Sequence, residues 1–281
     1  MSYQGFFRSR VTAAILACTL PALAHADPVW DRIKSSGKLV CGAIPNDPIG
    51  SWVDAKTGQW EGYEIVLCKQ IATDLSTVMG RKIEPVFHET AWNTVVLDIQ
   101  SQKIDLWPGM SATPERQKAL SMVGPIYNLA FCALSRKGFA MDETWDALNH
   151  PEVRIANVTG TSLETAFKTA APKATHITLN SFAEIELAVQ SGRADLMGAD
   201  VLRCLSVAKA APNIFGKIMF PRPVQSMGSS AGVLKSADQL TAWLQKWSEE
   251  KKSSGEIKKV FVKVFDKAGL DSNKIPPEIQ F

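Results

Sequence analysis

The chain has 281 residues, 46% of them hydrophobic and 21% charged, with 18 glycines, 15 prolines and a formal net charge of +3. That composition describes a globular protein with ample apolar material for a core, and it excludes collagen-like, coiled-coil and wholly disordered classes. Basic and acidic residues are interspersed, so no segment carries the concentrated Lys/Arg excess of a nucleic-acid binder.

At the start of the chain, Arg8 and Arg10 precede an apolar run from Val11 to Leu23. Ala24-His25-Ala26 then fits the small-x-small cleavage pattern, so residues 1–26 are expected to be a signal peptide removed before Asp27. The run is short for a membrane span and Pro21 interrupts it. A second reading makes Cys18 a lipid-anchor site, because Ile15-Leu16-Ala17-Cys18 loosely resembles a lipobox in which Leu16 fits poorly. Export would place Cys41, Cys68, Cys132 and Cys204 in an oxidising compartment where disulfides persist. Three complete pairings are open, none of the cysteines is spaced as CxxC, and buried free thiols are an equal alternative.

Strand-like and helical runs then alternate, which predicts an α/β fold. Strands are expected at Lys38–Ala43, Lys82–Phe87, Ile104–Pro108, Glu152–Val158, Ile177–Leu179 and Ala194–Gly198. Helices are expected at Tyr63–Met79, 92–100, Ser162–Ala170, Phe182–Gln190, Val201–Ala210, Asp238–Glu250 and Gly255–Asp266, with a loosely packed tail after Gly269. One internal similarity organises these elements. Gln100-Ser101-Gln102-Lys103-Ile104-Asp105-Leu106 recurs as Gln190-Ser191-Gly192-Arg193-Ala194-Asp195-Leu196, and each copy ends a helix, turns and opens a strand. The pattern reads as two related lobes, the alternative being chance similarity of a helix-turn-strand unit.

Ligands in open α/β sheets bind beyond the carboxyl ends of the strands, where both copies lead to charged residues. The first runs into Gly109-Met110-Ser111-Ala112-Thr113-Pro114-Glu115-Arg116, with Thr113 as N-cap and Pro114 at the first helical position. An arginine in a first helical turn opposes the helix dipole, and it makes sense if guanidinium and free N–H groups face one anion; the plainer reading pairs Arg116 with Glu115. The second copy ends at Gly198-Ala199-Asp200, where Asp200 either caps the next helix or offers a carboxylate across a cleft. An Arg from one lobe and an Asp from the other complement a zwitterion, and Gly160-Thr161-Ser162 adds small donors to the second lobe.

With these residues in place the chain resembles the periplasmic amino-acid-binding proteins of ABC importers, the family 3 extracellular solute-binding proteins. The resemblance rests on an ordered set of short stretches along the mature chain. They are Gly37 to Gly42, Gly58 to Ile65, Gln100 to Asp105, Thr113 to Arg116, Gly124 to Tyr127, Gly160 to Ser162, and Gly192 to Asp195 with Asp200. It implies a two-lobe Venus-flytrap architecture, with lobe 1 at 27–134 plus 226–281 and lobe 2 at 135–225. Hinge crossings are implied near Cys132-Ala133-Leu134 and from Pro223 to Ser229. It further implies that Arg116 grips the α-carboxylate of a free L-amino acid with help from Ser111, Thr161 and Ser162. Gly109 would offer a carbonyl and Asp200 a carboxylate to the α-ammonium, with Trp92 as an apolar wall. Where the family often has an aromatic followed by Pro-Pro-Phe, this chain has Asn46 to Trp52. Trp52 is therefore expected to replace the wall, and Asp47 to enter the side-chain pocket or to serve as a turn residue. One branch of the family carries cysteines at the positions of Cys41 and Cys68, which implies a bridge between them.

The partners implied are the amino-acid ligand and a membrane permease that reads the closed form of a monomer in the periplasm. No cofactor, metal or catalytic residue is expected, since His88, His150 and His176 lack metal-ligand spacing and no nucleophile or nucleotide motif occurs. The enzymatic alternative on the same fold is a periplasmic cyclohexadienyl (prephenate/arogenate) dehydratase. It would need a general acid in the cleft, for which Glu89, Glu184 and Glu186 are the candidates.

Overall fold

The computed structural model describes residues 1, 27–47, 49–271 and 279–280. The expected leader and Cys18 lie outside the described residues. The described fold opens at Asp27, whose Oδ1 accepts from the backbone N–H groups of Val29 and Trp30 and caps α1 (Pro28–Ser36). Its Oδ2 accepts from Gln239 and Leu240 at the start of α9 (Asp238–Ser253), so one carboxylate caps two helices and ties the beginning of the fold to its C-terminal part.

β1 (Lys38–Ala43) leads through the short antiparallel ribbon β2 (Trp52–Val53) and β3 (Trp60–Glu61) into α2 (Tyr63–Met79). β4 (Glu84–Glu89), α3 (Val95–Gln100), β5 (Leu106–Ser111) and α4 (Pro114–Ala119) follow. β6 (Leu120–Arg136) is the longest strand. Beyond it come α5 (Trp145–Leu148), β7 (Arg154–Val158), α6 (Ser162–Ala170), β8 (Thr175–Leu179), α7 (Phe182–Gln190), β9 (Leu196–Asp200) and α8 (Val201–Ala210). β10 (Phe215–Met219), β11 (Ser226–Leu234), α9, α10 (Glu256–Lys267) and β12 (Ile279–Gln280) complete the chain.

The strands run in the order β4-β1-β5-β11-β6-β9-β7-β8, with β10 and β12 also on β6. β1 is parallel to β4 and β5, and β7 is parallel to β8 and β9. β6 joins the two sets: Leu120 to Ala130 pairs with β11, and Phe131 to Ser135 pairs with β9. The chain returns between β10 and β11. The hydrophobic cores divide the same way, one around Leu67, Ile71, Leu75, Leu244 and Phe261 and others around Phe167, Ile185, Val189 and Met197.

The internal repeat is a structural clamp used once in each set. Asp105 accepts from Val40 N–H of β1 at 2.8 Å and pairs with Arg32. Asp195 accepts from Arg154 N–H of β7 at 3.1 Å, from the Arg154 guanidinium at 2.7 and 2.9 Å, and from Arg136 Nε at 3.2 Å. The turn before each carries a positive φ, at Gln102 and at Gly192.

Several helices follow their sequence signals closely, including α2, α6, α7 and α8. Other elements differ from expectation. α1, β6, β10 and β11 were not anticipated, because Gly124-Pro125 interrupts the β6 pattern and the apolar run lacks alternation. The helix expected over 92–100 starts only at Val95, because Ala91 to Thr94 form a turn held by the Thr94 hydroxyl. Of the expected loose tail, Ile279–Gln280 pairs with Leu129 and Asn128 of β6 and the rest beyond Asp271 lies outside the described residues.

Two disulfides are present. Cys41–Cys68 fastens β1 to α2, and Cys132–Cys204, a pairing the sequence did not single out, fastens β6 to α8. Their sequence separations of 27 and 72 rank their worth by the entropy each removes from the unfolded chain. Removing them as C41A/C68A and C132A/C204A should cost about 3–4 and about 4–5 kcal/mol respectively. Urea unfolding of the two variants checks the order, and a reversal would mean that packing outweighs loop entropy here.

Candidate functional site

The carboxyl ends of β1, β5, β7 and β9 converge on a cavity of about 680 Å³, its open mouth included. Asp47, Glu64, Trp92, Gly109, Ser111, Thr161, Ser162 and Asp200 line it, together with Tyr127, Leu129 and Phe131 of β6. Seven of the residues named from sequence are therefore brought together on its wall, and Arg116 lies directly behind it. Trp52 is not brought there. It sits on β2 in a separate groove on the flank that it shares with Arg203 and Lys267, so the aromatic wall comes from Trp92, Phe131 and Phe182 instead.

Arg116 is 6% exposed. Its guanidinium donates to the carbonyls of Ser111 at 3.1 Å and Gly160 at 3.2 Å, and it lies 5.6 Å from the centre of the Trp92 ring. The pairing with Glu115 is not made, and no carboxylate among the described residues forms an ion pair with this side chain. Burial pushes the guanidinium down to about 10, which leaves it charged at neutral pH. The free N–H expected beside it is occupied, since Arg116 N–H donates to the Thr113 hydroxyl at 3.3 Å. The hydroxyls of Ser111 and Ser162 meet at 3.0 Å, joining the end of β5 to the start of α6. Gly160 presents its carbonyl from a left-handed conformation (φ 77°) with the Trp92 carbonyl 3.3 Å from where a side chain would stand, so glycine is required.

The carboxylates form a separate group. Asp200 caps α8, its Oδ1 accepting from Leu202 and Arg203 N–H at 2.9 and 3.0 Å, and it also lines the cavity. Asp47 likewise closes a turn, accepting from Gly50 N–H at 2.9 Å, and faces the cavity. The sequence reasoning missed Glu64, on the first turn of α2. Its Oε2 accepts from the Trp107 indole N–H at 3.0 Å, and any side chain at Gly109 would overlap its Oε1. Burial first, then Asp47 and Asp200, push the Glu64 carboxyl up to about 8 against the hydrogen bonds of Trp107 and Ser51. Burial and Asp47 also raise Asp200. A legible clue existed, since Glu64 sits among the inward positions Tyr63, Leu67 and Cys68 of an otherwise apolar helix face.

The three acids considered for catalysis lie elsewhere. Glu184 completes the capping box of α7, Glu186 pairs with Arg203 at 3.0 Å, and Glu89 lines a different recess. Among the described residues no cluster of His, Cys, Asp and Glu has the arrangement to hold a metal ion, and no helix is long and apolar enough to cross a membrane.

Comparison with known proteins fits this geometry. The sequence profile of the bacterial extracellular solute-binding proteins, family 3, matches residues 39–267, and the chain belongs to that family. It is 25% identical over 169 residues to the ABC transporter glutamine-binding protein GlnH of Bacillus subtilis (strain 168), covering 60% of each chain. Its structure superposes on the ancestral amino acid-binding protein AncCDT-1, a precursor of cyclohexadienyl dehydratase, with a TM-score of 0.72 and 28% identity over 86% of this chain and 99% of that one. An ancestral arginine-binding protein bound to glutamine matches with a TM-score of 0.72 and 25% identity over 82% and 98% of the two chains.

Glu64 yields a stability prediction for the ligand-free protein. Its raised value means that between about pH 4.5 and 8 the unfolded chain has released a proton that the folded chain retains. Stability from this group is complete below that window and falls as pH rises through it. Glu64→Gln removes the titration, so the stability of the variant should decline less between pH 5 and 8 in urea-unfolding series. Equal slopes would mean that Glu64 ionises at its ordinary value.

Proposed function

We propose that this family member captures a free L-amino acid with a basic side chain between two lobes and delivers it to the permease of an ABC importer. The observation that carries the reading is the charge pattern of one cavity. Arg116, charged and buried against the lining residues Ser111 and Trp92, forms no ion pair with a carboxylate of the described residues, and Asp47, Glu64 and Asp200 line the same cavity. Burying Arg116 unpaired is costly, and a ligand carboxylate relieves that cost. In this reading Arg116, Ser111, Thr161 and Ser162 take the α-carboxylate, while Asp200 and the Gly109 carbonyl take the α-ammonium. Trp92 forms a wall, and Asp47 with Glu64 faces the end of the side chain. One carboxylate suffices for an α-ammonium, so the further acids Asp47 and Glu64 on the same wall favour a second positive charge on the ligand.

We place lobe 1 at 27–134 plus 226–281 and lobe 2 at 135–225; away from the β6 junction, where strand pairing and Cys132–Cys204 join the two, three side-chain hydrogen bonds then cross the cleft. They are the Ser111–Ser162 hydroxyl pair, Arg116 to the Gly160 carbonyl, and Arg203 to the Asn46 carbonyl at 3.0 Å. A ligand held from both sides adds to these and shifts the population toward closure. The expected compartment is the periplasm, reached through a cleaved leader. The relatives support binding over catalysis, being binding proteins of amino acids by name. One observation favours the dehydratase as second reading, because a protonated Glu64 in the cavity could serve as a general acid.

A thermal-shift panel of amino acids, prephenate and arogenate on protein refolded free of carried ligand tests both readings. At one hundred times its dissociation constant the ligand adds about 2.7 kcal/mol. Arginine, lysine or ornithine should give the largest shifts. Arg116→Ala should weaken binding by roughly two orders of magnitude and Asp200→Asn by roughly one or two, the loss of charge-assisted hydrogen bonds. Unchanged affinity in Arg116→Ala would overturn the assignment, and turnover of prephenate that is lost in Glu64→Gln would install the enzyme.

A further inference from the structure

Three carboxylates share one cavity, and the cations nearest them are already occupied. Arg203, beside Asp200, spends its guanidinium on Glu186 and the Asn46 carbonyl and lies 3.9 Å over the Phe182 ring. Arg116 spends its own on two carbonyls, and the acid that acts on it is Glu115. The remaining titratable groups around Glu64 are phenols, Tyr63 beside it on α2 and Tyr127 on β6, and neither supplies positive charge. From the other elements come Ser51 in the loop after β1 and Trp107 on β5, both neutral.

The acids differ in what stabilises their charge. Asp47 collects the N–H groups of Ile49 and Gly50, and Asp200 those of Leu202 and Arg203. Glu64 is buried and receives no backbone N–H among the described residues, only the Trp107 indole N–H at 3.0 Å and the Ser51 hydroxyl. Backbone donors favour the ionised form, and burial beside like charges favours the neutral one. The proton of the empty cavity therefore belongs on Glu64.

Resting on the amino-acid reading above, we propose that Glu64 exchanges its proton against the ligand's side-chain charge and so couples cargo loading to proton release. A guanidinium or ammonium entering the cavity takes the place of the proton. The O–H bond of Glu64 breaks, the proton passes to solvent as the lobes close, and the carboxylate pairs with the cation. A neutral side-chain amide or ureide leaves the O–H bond intact and accepts a hydrogen bond from it. One residue thus receives both kinds of ligand, with a pH dependence that only the charged kind shows.

Calorimetry on stripped protein, with L-arginine and its neutral isostere L-citrulline at pH 7 in phosphate and in Tris, counts the protons from the dependence of heat on buffer ionisation. The expected result is about one proton released per arginine and about none per citrulline, with arginine affinity rising about tenfold per pH unit from pH 6 toward 8. Glu64→Gln should abolish the release and weaken arginine about ten- to a hundredfold. The count in the wild-type protein stands even if that variant does not fold. Arginine binding without proton release overturns the coupling and leaves the amino-acid reading in place. Failure of both ligands, with no response to other amino acids, removes that reading and the coupling with it.

Discussion

A guanidinium buried on two backbone carbonyls, in ion-pair contact with no carboxylate among the described residues, is costly to hold, and much else in this fold is explained by that need. Arg116 could have reached Glu115, its neighbour in sequence, yet the chain directs it inward to the carbonyls of Ser111 and Gly160. Carbonyls orient a guanidinium without neutralising it, so the positive charge persists behind the lining residues Ser111 and Trp92. Gly160 and Gly109 lack side chains because a backbone carbonyl or a carboxylate stands where one would be. The carboxylates of Asp47, Glu64 and Asp200 form a second pole that does not pair with the first.

Both poles depend on how strand ends and helix starts are built. Asp200 and Thr161 are N-caps, and Arg116 follows the N-cap Thr113. The hydrogen bonds that begin these helices also fix where each functional side chain points. Beneath them the repeated Asp105 and Asp195 hold each parallel set of strands together by the same combination of a backbone N–H and an arginine. The similarity within the sequence thus encodes the scaffold of two like halves, while the chemistry lies one strand-length beyond each copy.

β6 carries the mechanical burden. It pairs with β11 over its first part and with β9 over its second, and Tyr127, Leu129 and Phe131 at the junction line the cavity. The Cys132–Cys204 bridge fastens that junction to α8, the helix that Asp200 caps and whose Arg203 reaches Asn46.

The sequence by itself determined the local elements and the order of the chemistry. Caps and apolar periodicity act over a few residues, which is why Tyr63–Met79, Ser162–Ala170 and Val201–Ala210 form where their signals lie. The α/β class, the family, and the positions of Arg116 in the first turn of α4 and Asp200 at the end of β9 follow from that order. Only the tertiary structure decided which of these residues share one cavity. Trp52 fell to another groove, Glu64 came from a helix face that looked apolar, and β6, β10 and β11 took their places through pairing between distant segments. Burial and charge proximity belong to the assembled cavity and not to any stretch of chain. Burial, with Asp47 and Asp200 arriving from remote parts of the sequence, raises the Glu64 carboxyl.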